Sequence, residues 1–268
     1  MGKFGKAIKA LLWIARKPVL LNRVLTHEDS WQKYVQKKHG LPNGLPVISM
    51  NELVKTGPVT LEPMTFLDGG SLPTDIMLLA GLAEGIKECR YFEIGTWRGE
   101  SVSAVSSRSK SCTTLCLTDS EMRIRGIHEN TIKSHMMFSN GLKNVTQLRG
   151  DSRKFDFQSL DQKFDLLFID GDHHYDFILS DIRNVFKHLV HENSVVVWHD
   201  YGFHPDEVRF EVMAAILDGV GTDRAGRVYH VAHTKCAIFT AREYDSMPSD
   251  VQSDPLHSYM FDLTRKPL

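Results

Sequence analysis

The sequence lacks several features that would place it in particular classes of protein. Its 32 Lys and Arg residues are balanced by 33 Asp and Glu residues, so no broad basic surface, and therefore no nucleic-acid partner, is expected. No apolar run approaches the roughly 20 residues that a membrane-spanning helix requires. The four cysteines form neither a Cys-x-x-Cys pair nor a Cys/His array with zinc spacing, which favours buried free thiols in a reducing compartment.

The overall charge balance hides a basic segment at residues 1–26, which contains Lys and Arg side chains but no acid. Residues 4–16 place apolar side chains at helical spacing and Pro18 follows, so a basic amphipathic helix is predicted. Such a helix either adsorbs to an anionic membrane surface or packs on the domain or in a homo-oligomer interface. We favour packing, because it is the commoner fate of an apolar stripe. No signal-peptide cleavage pattern follows, so a cytoplasmic protein is expected, with peripheral contact at the inner face of the membrane as the alternative.

The rest of the chain divides into three parts. Turn signals such as GLPNGLP predict an irregular covering arm at residues 27–71. Over residues 72–242, short apolar runs alternate with amphipathic helical patterns, which predicts an α/β fold with a doubly wound, mostly parallel sheet. The last two runs, RVYHVA and CAIFTA, lie too close together for a parallel connection and predict a final antiparallel hairpin. The polar residues 243–268 are expected to form a tail.

A glycine-containing turn follows the first apolar run of this domain, in the stretch YFEIGTWRGES. Gly95 permits a sharp turn and a close approach of a ligand, and the helix predicted to begin near Arg98 offers unpaired N–H donors. The third glycine of the dinucleotide fingerprint is missing. Glu93 would repel a phosphate, whereas it suits a ligand with positive charge or hydroxyl donors. The turn therefore indicates a site for such a ligand.

Acidic residues end the next two predicted strands. Asp119 lies about 20 residues beyond the glycine turn, where an acid in such folds accepts hydrogen bonds from ribose hydroxyls. Asp151, in the stretch RGDS, ends the third strand and is placed to accept a hydrogen bond from an adenine amino group. Each acid could instead cap the helix that follows it. Together with Glu93 they favour ligand binding, because these strand ends line the cleft of an open α/β sheet.

These motifs resemble those of the class I S-adenosylmethionine-dependent methyltransferases. The resemblance rests on Glu-x-Gly-x-x-x-Gly, the acid after strand two, GDS after strand three and the final hairpin, and it covers residues 72–242. It implies a Rossmann-like sheet of seven strands and S-adenosylmethionine as the cofactor. By this resemblance, the methionine part of the cofactor is bordered by Glu93, Gly95 and Gly99. Asp119 would bind the ribose, and Asp151 with Ser152 the adenine.

A second group of polar residues ends the fourth and fifth predicted strands, in FIDGDHHY and VVVWHDY. These strands are neighbours about 4.8 Å apart in a doubly wound sheet, so Asp170, His199 and Asp200 are expected to converge. Two carboxylates and an imidazole suit a divalent cation, Mg²⁺ or Mn²⁺, and the histidine favours Mn²⁺. Such a cation lowers the pKa of a hydroxyl, and His173, just past the strand end, is the candidate base. Asp172 is interpreted as the cap of the following helix.

The two stretches resemble the metal-dependent O-methyltransferases, in particular the macrolide-sugar O-methyltransferase and cephalosporin-hydroxylase-like group. By this resemblance Asp170, His199 and Asp200 are the metal ligands. Asp170 and His173 are the catalytic residues, with His173 as the general base. His199 stands where Asp or Glu is more usual in that branch. The resemblance implies methyl transfer to a hydroxyl of a sugar or glycan-related acceptor, so the expected partner is a small molecule or a saccharide.

Two other functions fit parts of the pattern. One is an NAD-dependent oxidoreductase on a similar sheet, which the missing third glycine and the final hairpin disfavour. The other is a protein that binds S-adenosylmethionine without catalysis. The sequence therefore predicts an S-adenosylmethionine-dependent O-methyltransferase, assisted by a divalent metal, as the leading hypothesis.

Overall fold

A computed structural model describes residues 2–18, 28–55, 57–67, 69–249 and 257–267 of the chain. Residues 19–26 of the predicted N-terminal segment and 250–256 of the predicted tail lie outside the described residues. The helices of the described ranges are α1 (Lys3–Arg16), α2 (Glu28–His39), α3 (Met50–Leu53), α4 (Pro73–Gly85), α5 (Glu100–Ser106), α6 (Asp119–Ile124), α7 (Glu129–Ser134), α8 (Tyr175–His188) and α9 (Phe210–Val220). The strands are β1 (Val47–Ile48), β2 (Arg90–Ile94), β3 (Ser111–Cys116), β4 (Val145–Arg149), β5 (Phe164–Ile169), β6 (Val190–Trp198), β7 (Gly202–His204), β8 (Glu207–Val208), β9 (Val228–Val231) and β10 (Ala237–Phe239).

Eight strands of the described ranges form one mixed sheet in the order β1-β9-β10-β6-β5-β2-β3-β4. The central strands β2 to β6 pair in parallel, whereas β10 runs antiparallel to both β6 and β9. The predicted α/β fold, with a mostly parallel sheet and a final antiparallel hairpin, is confirmed. The predicted number of seven strands leaves out β1, a strand of the arm that pairs in parallel with β9 at the sheet edge. Strands β7 and β8 form a separate short ribbon.

Two hydrophobic cores, one on each face of the sheet, hold the helices in place. Alternation along β2 directs Phe92 and Ile94 into the core beneath α8 and α9, and Tyr91 into the core beneath α4 and α5. Trp198 and Val197 of β6 divide between the two cores in the same way. The four cysteines are buried and free, as predicted. Because both faces of the central strands are covered, the polar residues that follow these strands are left at the carboxyl edge of the sheet.

The arm at residues 27–71 contains more regular structure than the sequence predicted. Residues 28–39 form α2, which packs against α9. Glu28 and Asp29 occupy its first turn and basic residues its last, an arrangement that the helix dipole favours. Trp31 and Val35 lie one turn apart and join the core beneath α8 and α9. The prediction of an irregular arm is therefore wrong for this segment, because its short apolar stripe is enough to form a helix once it packs on α9.

Helix α1 confirms the predicted amphipathic helix over residues 4–16, but its apolar stripe does not pack on the domain. None of its described side chains is buried, and Phe4, Leu11 and Leu12 are 81%, 66% and 57% exposed. The expectation of packing on the domain is therefore wrong for the described residues, since other helices already cover both faces of the sheet. Packing in a homo-oligomer interface, the other half of the favoured expectation, stays a prediction. No helix in the described part of the chain has the length and hydropathy needed to cross a bilayer.

Candidate active site

The candidate active site lies at the carboxyl edge of the sheet, where β2, β5 and β6 end side by side. The backbone N–H of Asp170 donates to the carbonyl of Ile94 at 2.8 Å, and that of His199 donates to the carbonyl of Ile169 at 3.1 Å. These hydrogen bonds hold the residues that follow the three strands at adjacent positions. The predicted neighbourhood of the fourth and fifth strand ends is therefore confirmed.

Gly95 and Gly99 give the turn after β2 its shape. Both have a positive φ, +91° and +86°, which residues with side chains rarely adopt. A Cβ on Gly95 would lie 1.9 Å from the carbonyl oxygen of Asp170, and a Cβ on Gly99 would lie 2.6 Å from Oγ of Ser139. Gly95 is therefore required where the turn crosses the end of β5. This contact joins the predicted cofactor loop to the second half of the site.

Glu93 is fully buried near the end of β2. Its Oε2 accepts hydrogen bonds from the hydroxyls of Tyr91 at 2.7 Å and Ser101 at 2.6 Å. Its Oε1 has no hydrogen-bond partner among the described residues. Burial raises the pKa of Glu93 to about 7, although the two hydrogen bonds oppose the rise. A buried carboxylate oxygen without a partner is a position where a donor or cationic group of a ligand would be favourable.

Two segments cover the glycine turn. The backbone N–H of Met136 donates to the carbonyl of Trp97 at 2.6 Å, and Trp97 has a φ of +45°, which is uncommon for a residue other than glycine. From the arm, the backbone N–H and hydroxyl of Thr65 donate to Oε1 of Glu100 at 2.7 and 2.8 Å. Arg98, inside the turn, forms a buried ion pair with the other oxygen of Glu100 at 3.1 Å. These contacts place part of the arm over the loop.

Asp119 lies at the same edge of the sheet, after β3, but it is paired with an arginine. It is the first residue of α6, which Thr118 caps, and its carboxylate forms an ion pair with Arg149 at the end of β4. The guanidinium of Arg149 also contacts Sδ of Met136 at 3.3 Å. A ribose bound here would share or replace the arginine. The role of Asp119 in cofactor binding stays a prediction.

Asp151 follows β4 and accepts hydrogen bonds from Arg125 at 2.9 Å and Arg153 at 3.0 Å. The hydrogen bond from Arg153 is the main cause that lowers the pKa of Asp151. Ser152 hydrogen-bonds to Asp181 of α8, whose pKa burial raises to about 7. Oδ1 of Asp181 has no partner among the described residues. The predicted adenine side of the cleft thus contains a second buried carboxyl group that the sequence analysis missed.

Asp170, His173 and Asp200 converge beside the glycine turn. One potential ligand atom of each lies within 4.8 Å of the others, and Nε2 of His173 is 3.1 Å from Oδ2 of Asp200. Asp200 has a φ of +51°, a strained conformation that is often found at functional positions. Two carboxylates and an imidazole at this spacing form a donor set that suits a divalent cation.

His199 lies behind this group and not among the three. Its side chain is 5% exposed, with Nδ1 at 3.1 Å from Oδ1 of Asp170 and Nε2 at 3.1 Å from Oδ2 of Asp75. Burial alone would lower the pKa of His199, but the carboxylates, Asp170 foremost, raise it well above its usual range. With a proton on each nitrogen, His199 donates to both acids and has no lone pair for an ion. His199 thus lies against Asp170 and Asp200 as predicted, with Nδ1 at 3.1 and 3.4 Å from their carboxylates, but the group that could hold a metal contains His173 in place of the predicted ligand His199.

Asp75 and Lys235 belong to this network and were missed by the sequence analysis. Asp75 is fully buried in the first turn of α4, where it accepts hydrogen bonds from the backbone N–H of Leu72 at 2.7 Å and of Lys235 at 2.8 Å. The ammonium of Lys235, in the hairpin between β9 and β10, lies 2.6 Å from Oδ1 of Asp200. An acid in the first turn of a helix is a common cap and a lysine in a hairpin is ordinary. Neither pattern could have indicated the network.

Asp172 orders the residues just before α8. Its Oδ1 accepts a hydrogen bond from the backbone N–H of His174 at 2.9 Å and lies 2.5 Å from Nδ1 of the same residue. The helix itself begins at Tyr175, with His174 at the cap position. The prediction that Asp172 is the cap of this helix is therefore wrong, because the helix begins one residue later than expected and Asp172 bonds to the cap residue instead.

Comparison with known proteins agrees with this architecture. Residues 92–201 match the family model of a methyltransferase domain, a range that contains the glycine turn and the ends of β2 to β6. An uncharacterized protein of Acanthamoeba polyphaga mimivirus is 29% identical over 145 residues, which are 51% of this chain and 62% of that protein. The chain thus spans less than two thirds of the length of that relative.

Solved structures of similar fold include two O-methyltransferases. The one from Bacillus cereus, in complex with SAH, is 15% identical and has a TM-score of 0.45, with 85% of this chain and 98% of that chain covered. TomG from Streptomyces achromogenes, in complex with SAM, is 16% identical and has a TM-score of 0.44, with 83% and 94% covered. Such distant likenesses carry no argument about substrate. The match of residues 92–201 to a methyltransferase domain agrees with the predicted enzyme class, an S-adenosylmethionine-dependent methyltransferase.

Proposed function

We propose that this protein is an O-methyltransferase that uses S-adenosylmethionine and a divalent metal to methylate a hydroxyl of a sugar or glycan-related acceptor. The observation that carries the proposal is the convergence of Asp170, His173 and Asp200 beside the glycine turn, where Gly95 packs on the carbonyl of Asp170. A cofactor at the turn and an acceptor at the carboxylates would therefore be neighbours. The metal and the saccharide acceptor are supported by the resemblance of FIDGDHHY and VVVWHDY to the metal-dependent branch.

The glycine turn fits the methionine end of the cofactor. Gly95 and Gly99 leave the backbone uncovered by side chains of their own, and the unpartnered oxygen of Glu93 suits a cationic or N–H donor group. Asp119 is proposed for the ribose, and Asp151 with Ser152 for the adenine. The bound cofactor supplies a methyl group on a sulfonium, which is an electrophile. The chain contributes orientation, because an in-line approach of the acceptor oxygen needs both partners fixed.

The carboxylates of Asp170 and Asp200 would hold Mg²⁺ or Mn²⁺, with His199 fixing Asp170 from behind. A bound cation supplies positive charge that makes a neighbouring hydroxyl more acidic. His173, whose side chain is 36% exposed, is the proposed base. It takes the proton of the acceptor hydroxyl while the methyl group passes from sulfur to that oxygen. The products are the methyl ether and S-adenosylhomocysteine, and the proton leaves with the solvent.

Methyl transfer from labelled S-adenosylmethionine to a panel of saccharides, with Mn²⁺, Mg²⁺ or a chelator, tests the proposal. We expect Asp170→Asn and Asp200→Asn to lose both Mn²⁺ binding and turnover. His173→Gln should keep Mn²⁺ binding and lose about 100-fold or more in rate, as expected for a base. His188→Gln, at the far end of α8, is the matched control and should behave as wild type. Turnover that survives the chelator and ignores added metal would refute the metal; transfer to none of the saccharides would refute the acceptor class.

The two alternative functions predict different ligands. An NAD-dependent oxidoreductase would be stabilised against heat by NAD, whereas the proposed enzyme should be stabilised by S-adenosylhomocysteine and not by NAD. A protein that binds S-adenosylmethionine without catalysis would also be stabilised by S-adenosylhomocysteine. It would transfer no methyl group, so Asp170→Ala would not change the result of the transfer assay. Thermal shift with both ligands, followed by the transfer assay, separates the three functions.

We further propose that α1 makes peripheral contact with an anionic membrane surface. At 3.6 residues per turn, Phe4, Ile8, Leu11 and Leu12 fall on one side of the helix, and Lys3, Lys6 and Lys9 fall on the other. The apolar side chains are exposed, and no acid lies in the helix. An exposed apolar stripe beside a basic face is typical of helices that lie in the interface of anionic lipids.

Co-sedimentation with vesicles tests this contact. Binding is expected with vesicles that contain phosphatidylserine and not with phosphatidylcholine alone, and Leu11→Asp or Lys6→Glu/Lys9→Glu should abolish it. Lys154→Glu/Lys187→Glu reverses two exposed charges elsewhere and should bind as wild type. Equal binding of all variants would refute the proposal. A dimer in solution that Leu11→Asp dissociates, with no vesicle binding, would assign the stripe to a homo-oligomer interface instead.

A further inference from the structure

Lys235 is held at the candidate metal site from both ends. Its backbone N–H donates to Oδ1 of Asp75 at 2.8 Å, and its ammonium lies 2.6 Å from Oδ1 of Asp200. The side chain is 16% exposed and that of Asp200 19%, so the pair is largely shielded from water. A lysine that spans the network in this way is more than a solvated surface residue.

The charges around Lys235 explain why its ammonium lies against Asp200. Three carboxylates, those of Asp75, Asp170 and Asp200, surround His199, which lies 3.1, 3.1 and 3.4 Å from them. One imidazolium cannot neutralise three carboxylates, and buried charges without compensation are strongly unfavourable. Lys235 supplies the second positive charge. The pKa of Lys235 is consistent with this: burial alone would lower it, but Asp200 raises it.

We propose that Lys235 is a built-in counter-ion that competes with the divalent cation for Asp200. The inference rests on the proposed metal site, in which Asp170 and Asp200 would hold the cation. An ammonium and a divalent cation cannot share Oδ1 of Asp200 at contact distance, because their like charges repel strongly at a few ångströms. Metal binding therefore requires the ammonium to leave Oδ1. The long, flexible stem of Lys235 permits this movement, since its backbone stays anchored to Asp75.

Two properties of the enzyme follow from this competition. Without metal, Lys235 keeps the carboxylate cluster compensated, so the site does not depend on an ion to fold. With metal, part of the binding free energy is used to displace the ammonium, so the affinity is weaker than the two carboxylates would otherwise give. Lys235 would thus set the concentration of Mn²⁺ at which the enzyme is loaded.

The test is a titration of the intact protein with Mn²⁺, in which free Mn²⁺ is followed by its electron paramagnetic resonance signal. Even with the dielectric constant of bulk water, one unit charge about 5 Å from a divalent cation changes its affinity by about tenfold. We therefore expect Lys235→Met to bind Mn²⁺ at least about tenfold more tightly than wild type. Lys235→Arg keeps the charge and should not. Lys163→Met removes a lysine that contacts the carbonyl of His188 at the start of β5 and should leave the affinity unchanged.

A second measurement separates competition from a purely structural role. Without metal, Lys235→Met should have a lower Tm than wild type, and saturating Mn²⁺ should raise its Tm by more than it raises that of wild type. Equal Mn²⁺ affinities in wild type and Lys235→Met would overturn the competition and leave the metal site standing. No Mn²⁺ binding by either protein would overturn the metal site and this inference with it. Binding by Lys235→Met that persists after Asp200→Asn is added would show that Asp200 is not the contested ligand.

Discussion

The substitution Gly95→Ala tests whether the glycine turn and the carboxylate cluster form one unit. Gly95 has a φ of +91°, and the added Cβ would lie 1.9 Å from the carbonyl oxygen of Asp170. That oxygen belongs to the backbone at the end of β5 and cannot rotate away as a side chain would. The contact would have to open by about 1 Å or more before it reached 3.0 Å, the shortest spacing that a Cβ tolerates. The substitution therefore moves a candidate catalytic residue.

The magnitude has two parts that a control can separate. A side chain at positive φ costs about 1–2 kcal/mol, and forcing atoms into a closely packed region costs typically another 1–3 kcal/mol. Gly95→Ala should therefore lower the free energy of unfolding by about 2–5 kcal/mol. Gly126 has a φ of +76° with nothing within 4 Å of an added Cβ. Gly126→Ala should lose only the first part, about 1–2 kcal/mol.

Urea unfolding of both variants measures these free energies, and titration with Mn²⁺ and S-adenosylhomocysteine measures the two ligand sites. Gly95→Ala should weaken binding of both ligands, because the turn and Asp170 move together. Gly126→Ala should bind both as wild type. Equal losses of stability in the two variants, with ligand binding intact in each, would refute the close contact between the turn and the strand end.

Three further predictions concern single contacts. Burial alone would raise the pKa of Asp218, but hydrogen bonds from Lys38 and other side chains lower it from 3.8 to about 2. The wild-type protein should therefore lose about 2 kcal/mol of stability as the pH falls from 4 to 2. Asp218→Asn should lose less over the same range, which acid unfolding would measure. The pKa of Glu93 rises from 4.5 to about 7, so its ionisation opposes folding as the pH rises through that range. In urea unfolding, the free energy of unfolding of Glu93→Gln should increase relative to wild type by up to about 3 kcal/mol between pH 4.5 and 8. A difference between the two proteins that did not depend on pH would contradict this account. The hydroxyl of Tyr201 accepts a hydrogen bond from the backbone N–H of Leu45 at 2.8 Å, so Tyr201→Phe should cost about 1–3 kcal/mol, and faster proteolysis of the arm would report the loss.

The fold could be predicted because it depends on local patterns that repeat along the chain. Each central strand is a short apolar run, and each is followed by a helix, so the parallel order needs no knowledge of distant contacts. The final hairpin was predictable because a connection of a few residues permits only an antiparallel pair. Strand β1 was not, since its two residues, Val47 and Ile48, form a strand only by pairing with β9. Its signal lies in the partner and not in its own sequence.

Some features of the candidate site could likewise be predicted from local patterns, and others could not. Asp170 and Asp200 were found because each directly follows an apolar run, and neighbouring strand ends meet at one edge of the sheet. The direction of a side chain beyond the strand end has no such rule. His173 and His199 were both predicted at this edge, but the sequence could not tell that His199 is buried between Asp170 and Asp75 while His173 stays partly exposed beside Asp200.

Asp75 explains why a histidine is tolerated at position 199, where the resemblance makes an acid more usual. An imidazolium between Asp75 and Asp170 satisfies both acids, whereas a carboxylate at the same place would add a fourth negative charge to a buried cluster. The two residues are 124 positions apart in the chain. Because Asp75 also caps α4, its local pattern is fully explained by the cap and gives no reason to look further.

In the proposed metal site, the balance of charge, rather than the set of donor atoms, would decide whether a divalent cation binds. With His199 protonated and Lys235 in place, the three carboxylates keep one uncompensated negative charge; withdrawal of Lys235 leaves two. A divalent cation is matched by the second state and not by the first. The carboxylate oxygens of Asp170 and Asp200 are the same in both states. In the proposed site, binding of a divalent cation would therefore depend on a lysine in the hairpin between β9 and β10, which lies outside the ligand motifs.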